Sequence, residues 1–288
     1  MDRVLGSVRR LMKRPDITIT FSLFALVYCF LEYILLFPLI SGVSSIEGGN
    51  IFDSIIHISQ LVVNSLMSIR ILLCVVIGIM LSGIVFGFIL SGCLYKLNNF
   101  LAKRKRVKME FLRGVKKHFL NFSIVSFLVI LFSVLFFMFM MVVSVPAVAI
   151  SRSFVDGNTD LLLLTILFDI ITLAILFFGI MFFRIYMCSW FPAVLNFKNR
   201  HFFIAKYAAD TYFWSVLVRI FTLDAIFILF QYMLLYLNSI LPIHGVGGIV
   251  RFIILFFLNW IFKSIFFIVM AVLFFLRFLF FKEKVSQE

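Results

Sequence analysis

The sequence predicts an all-α polytopic membrane protein with six transmembrane helices and both termini on the cytoplasmic side. Three observations carry this expectation. The chain of 288 residues is 64% hydrophobic with a mean hydropathy of +1.18, and only 14% of its residues are charged. That is too few polar side chains to cover a surface facing water. Six segments (17–40, 69–95, 119–150, 161–195, 216–241 and 251–281) are apolar over the ~20 residues that a helix needs to cross a bilayer core. Lys and Arg collect in alternate connections, as they do in cytoplasmic loops.

The N-terminal arm carries Arg3, Arg9, Arg10, Lys13 and Arg14 and runs into a long apolar stretch. It reads as an uncleaved signal anchor that becomes the first span. Its Val4, Leu5, Val8, Leu11 and Met12 share one helical face. The outer connection 41–68 places Ile51, Phe52, Ile55, Ile56 and Val62 at helical spacing, which predicts a short surface helix or an upward extension of the second span. The second span holds Gly78, Ser82, Gly83, Gly87, Ser91 and Gly92. Gly83 to Gly87 is a GxxxG, and Ser91 continues the small-residue stripe, so this span reads as a packing spine or a dimer face.

Residues 96–119 hold nine of the 26 Lys and Arg residues. Residues 96–106, with Lys103, Arg104, Lys105 and Arg106, read as a solvated anchor. Lys108, Arg113, Lys116 and Lys117 oppose Val107, Phe111, Leu112, Val115 and Phe119, which predicts an amphipathic interfacial helix over 107–119. The third, fourth and sixth spans exceed the length a crossing needs, so they tilt or continue past the hydrocarbon. Segments 151–160 and 242–250 are short outer turns. Before the fifth span, Phe202, Phe203, Tyr207 and Phe213 accompany Lys206 and Asp210. Each odd-numbered span is thus preceded by a basic amphipathic stretch, a weak threefold repeat of interfacial helix, span, turn and span. No separate soluble domain is expected.

The run FPAVLNFKNRHFFIAKYAADTYFW (191–214) places Pro192 at the end of a span, then a polar turn, an Ala-containing amphipathic helix and an aromatic entry into the next span. This element resembles the bacterial six-span proteins related to the membrane domain of glycerophosphodiester phosphodiesterases. In the turn, Asn196, Lys198 and Asn199 stand where that family has Glu and Gly. The resemblance implies a helical membrane fold with lipid or transport association. It implies no catalytic residues, because the phosphodiesterase site belongs to a separate domain.

Ionisable groups inside spans are costly and therefore mark pairing or function. At ~1.5 Å per residue, Glu32 and Asp169 lie roughly 12 Å below the outer boundary, with Lys263 somewhat deeper. A Glu32–Lys263 or Asp169–Lys263 pair is expected, either to fix packing or to form a cation site. Near the inner face, Arg184, Arg219 and Asp224 lie at similar depth, and an Arg184–Asp224 bridge is the better pairing. Cys29, Cys74, Cys93 and Cys188 lack metal-ligand spacing, and so do His57, His118, His201 and His244. No metal or cofactor is expected, and no catalytic motif is present. The net charge of +13 is accounted for by cytoplasmic loops, so nucleic acid is not expected as a partner.

Two functions fit. One is a non-catalytic protein of the bacterial cytoplasmic membrane, a scaffold associated with anionic lipid headgroups or the envelope. The other is a transporter component, such as the permease subunit of an ABC-type exporter. In that case residues 107–119 would meet a separate ATPase through Glu110 and Arg113.

Overall fold

The structure is a computed structural model that describes residues 6, 11, 14–44, 69–105, 107–197, 200–240 and 246–285. Among these residues there are six long helices and no strand: α1 (Pro15–Ser44), α2 (Ile69–Leu101), α3 (Glu110–Val155), α4 (Leu162–Asn196), α5 (His201–Ile240) and α6 (Val246–Val285). A 3-10 turn, Thr159–Leu161, leads into α4. Helices α2 to α6 each carry a stretch long and apolar enough to cross a membrane. α1 is 30 residues long and apolar over Pro15–Phe30. The chain is therefore a multi-pass helical membrane protein by length and composition. The surface helix expected within 41–68 lies outside the described residues, as does most of the arm.

Local chemistry sets the helix ends. Pro15 opens α1, where its fixed φ suits a first helical residue and its missing N–H costs nothing. Asp16 follows in the first turn, favoured by the helix dipole. α2 closes in a Schellman motif: the Lys103 N–H donates to the Phe100 carbonyl (3.1 Å) and the Arg104 N–H to that of Asn99 (2.9 Å). Lys103 takes the left-handed conformation there, with φ +52°. The same motif ends α3 with the more permissive Gly157, at φ +109°.

The interfacial helices expected before the third and fifth spans are not separate elements. Residues 110–119 are the first turns of α3, one helix of 46 residues and roughly 69 Å. The stretch before the fifth span is likewise the start of α5. Nothing between His118 and Leu120 breaks the i→i−4 ladder, so the amphipathic turns continue coaxially into the apolar ones.

The chain divides into two compact units. The first comprises Met1–Leu35, Phe88–Phe122 and Ile185–Glu288. Within it α5 packs on α6 around Ala193, Ala205, Ala208, Phe278 and Phe281, with Trp190 and Tyr212 beside them. Small alanines at these positions let the phenyl rings fill the gap. Trp260 Nε1 donates to the Ser22 carbonyl (2.8 Å), tying α6 to α1. Gln231 Nε2 donates to Asn259 Oδ1 (3.1 Å), tying α5 to α6.

The second unit comprises Leu36–Gly87 and Ser123–Arg184. Here α2 crosses α3 at its small residues. A Cβ on Gly83 would come within 2.9 Å of Phe127 Cα, and one on Gly87 within 2.5 Å of Ser123 Cα. Such close backbone approach is what glycine permits in an apolar helix pair. Phe136 of α3 stacks on Phe183 of α4, with ring centroids 4.7 Å apart.

Candidate functional site

A polar cluster lies in the first unit, where the start of α1, the end of α2 and the start of α3 come together. Arg14 Nη2 lies 3.5 Å from Asp16 Oδ2 and 3.8 Å from Glu110 Oε2. Glu110 is only 4% exposed although it sits in the most basic stretch of the chain. Its Oε1 accepts from the Val107 N–H (3.4 Å), one of the backbone donors left over just before α3. Lys96 Nζ donates to the Asp16 carbonyl (3.2 Å), and its ammonium lies 5.9 Å from the Phe111 ring centre. Arg14 stands over Phe100 at 5.7 Å. Buried Glu110 and half-buried Asp16 thus share the Arg14 guanidinium, which faces a ring, and this limits the cost of burying the charge.

The exposed part of the same stretch has one sign. Lys103, Arg104, Lys105, Lys108, Arg113, Lys116 and Lys117 are all exposed, and Arg106 lies outside the described residues. The inward placement of Glu110 removes it as a contact for an ATPase; Arg113 remains on the surface.

Lys263, 3% exposed at its side chain, forms an ion pair with Glu32, which is 28% exposed. The Tyr28 ring centre lies 5.3 Å from the Lys263 ammonium. Asp169 belongs to the second unit, where Ser151 Oγ donates to its Oδ1 at 3.0 Å. The two acids set against Lys263 by depth therefore have different partners. Ser151→Ala is expected to cost about 1–2 kcal/mol by leaving Asp169 short of a donor, read as a lower unfolding midpoint in detergent.

Arg184 falls in the second unit, and Arg219 and Asp224 in the first. All three are half-buried. Gly83 and Gly87 line the α2–α3 crossing described above. Ser91 is fully buried in the first unit, where its carbonyl would meet a Cβ on Gly114 at 2.9 Å.

Some polar residues escaped the sequence reading. Arg277 lies inside the sixth apolar run, where its Nη2 donates to Ser215 Oγ (2.8 Å) and its guanidinium faces Tyr212. Its buried Nε has no hydrogen-bond partner among the described residues and lines a cavity of about 10 Å³, the lower limit for one water. The Tyr186 hydroxyl donates to Asp210. Asn98 and Asn99, adjacent and 3% and 5% exposed, are buried at the end of α2, and Asn196 Nδ2 donates to Asn98 Oδ1 at 3.4 Å. Arg277 was discoverable as a cation inside an apolar run, and Glu110 as the lone acid among cations. Among the described residues no three His, Cys, Asp or Glu side chains are grouped to hold a metal.

Searches against family models, curated proteins and solved structures find no match for this chain. Its function must therefore be argued from its own residues.

Proposed function

We propose that this chain is a non-catalytic multi-pass protein of a bacterial cytoplasmic membrane, with both termini inside, whose basic face gathers anionic phospholipid as a scaffold of the envelope. One observation carries the reading. Along residues 103–117 every described Lys and Arg is exposed, while the acid of that stretch, Glu110, is buried. The surface left to the surroundings is purely cationic and lies next to the apolar length of α3. Exposed Leu112 and Leu120 add apolar contact beside the cations. Cations at that level meet headgroups, and each contributes about 1 kcal/mol at an anionic surface. The long apolar helices and the 191–214 element, which resembles a family with lipid or transport association, support the same reading.

The direct check is lipid co-purification. Replacing Lys103, Arg104, Lys105 and Arg106 together by Gln should remove most of the anionic-lipid enrichment measured by mass spectrometry of the purified protein. It should also flatten the dependence of that enrichment on salt, since exposed charges are screened over ~10 Å at 0.1 M. Unchanged enrichment in the four-residue variant would sink the proposal.

A further inference from the structure

In the first unit a groove of about 430 Å³ opens beside the Arg14–Glu110 ion pair. Its polar lining is Asp16, Lys96, Lys108 and Glu110, and its apolar lining is Val107, Met109 and Phe111. We propose that this groove binds the phosphate of one anionic phospholipid, with a single net negative charge, held by Lys96 and Lys108. The inference rests on the lipid-binding reading above and names the site and the lipid class within it.

The volume falls in the range of small-molecule sites, ~300–1,000 Å³, and far exceeds the space of a few waters. The charges then select the ligand. Lys96 and Lys108 are positive, Asp16 and Glu110 are negative, and Arg14 lies within ion-pair range of both acids. The cluster carries a formal charge of one positive unit. A phosphodiester monoanion neutralises it, whereas a zwitterionic headgroup leaves it unmatched.

Donors for the phosphate are at hand. An ammonium has three N–H donors, and Lys96 spends one on the Asp16 carbonyl at 3.2 Å. Lys108 is exposed at the groove's edge. α3 begins at the groove wall, so its dipole adds to the attraction for an anion. Asp16 matters too. Half-buried on the lining, it can accept hydrogen bonds from headgroup hydroxyls, which a glycerol headgroup offers and a choline does not. Met109, 73% exposed and in the left-handed conformation at φ +56°, sits on the lining with Phe111. An apolar wall beside the cations suits an amphiphile better than a free phosphate ion.

The test uses the full chain purified in a neutral detergent. It is titrated with dihexanoyl phosphatidylglycerol, dihexanoyl phosphatidylcholine or inorganic phosphate, and bound molecules are counted by native mass spectrometry. One phosphatidylglycerol should bind saturably, with phosphatidylcholine at least about tenfold weaker. Each lysine contact is worth about tenfold, so Lys96→Gln with Lys108→Gln should weaken binding roughly 100-fold. Lys108→Gln alone should weaken it about tenfold. Lys108 is exposed, so that single variant tests the site even if Lys96 is needed for folding. Unchanged affinity in Lys108→Gln overturns the proposal. Displacement of the lipid by equimolar inorganic phosphate also overturns it, in favour of a soluble anion. The broader lipid reading is judged separately, by total anionic-lipid enrichment in the four-residue variant, so either can fail without the other.

Discussion

Glu32→Gln is expected to lower stability by about 3 kcal/mol, more than Lys263→Met, which should cost about 1–2 kcal/mol. The asymmetry follows from burial. Lys263 is 3% exposed at its side chain, so loss of its counter-ion strands an ammonium in an apolar interior. Its remaining neighbour is the Tyr28 ring at 5.3 Å, a much weaker partner than a carboxylate. Glu32 is 28% exposed and can turn toward polar surroundings when Lys263 is gone. Removing both charges in Glu32→Gln with Lys263→Met should bring stability back to within about 1 kcal/mol of the starting protein, because a neutral pair has no desolvation cost to offset. Unfolding midpoints in mixed micelles give all three values. Equal single-variant effects, or a double variant as unstable as the sum of the singles, would show that the pair does not hold α1 to α6.

Gly87→Leu should destabilise the protein by about 2–3 kcal/mol, while Gly78→Leu in the same helix should change stability by less than about 0.5 kcal/mol. A Cβ at Gly87 meets Ser123 Cα and Oγ at 2.5 Å, and backbone cannot move aside as a flexible side chain can. A Cβ at Gly78 meets nothing within 4 Å, and that residue is exposed. Both substitutions replace glycine by the same residue in α2, so helix propensity and hydrophobicity cancel in the comparison. The difference isolates the close crossing of α2 and α3. Thermal unfolding of the two variants in the same detergent reads it, and similar midpoints would mean that the crossing is not tight.

The helices themselves were legible because each apolar run is long and the charges between runs are clustered. Glu32 with Lys263 was legible from depth, since both lie in runs of known direction. The stripe of Gly83 and Gly87 was legible from spacing, which puts small residues on one helical face. The start of α3 was not. The amphipathic turns over 110–119 and the apolar turns after them have the same helical period, so the sequence offers no mark where one becomes the other. The ionic node was missed for a different reason. Counting Arg14 as a loop charge gives topology but ignores its partners, and Glu110 stands far along the chain from it, on another helix. Arg277 was missed because it lies near the basic tail, where a cation is easily assigned to the loop.

We propose that the cationic loop faces the cytoplasm and that the α3–α4 turn faces outward. Lys105 and Asn158 are both exposed and can each carry a reporter. The measurement is labelling of Lys105→Cys and Asn158→Cys with a membrane-impermeant thiol reagent in intact cells, in a background where Cys29, Cys74, Cys93 and Cys188 are replaced by Ala. Asn158→Cys should label in intact cells, and Lys105→Cys only after the membrane is opened. Labelling of Lys105→Cys in intact cells, or protection of Asn158→Cys, would contradict the claim.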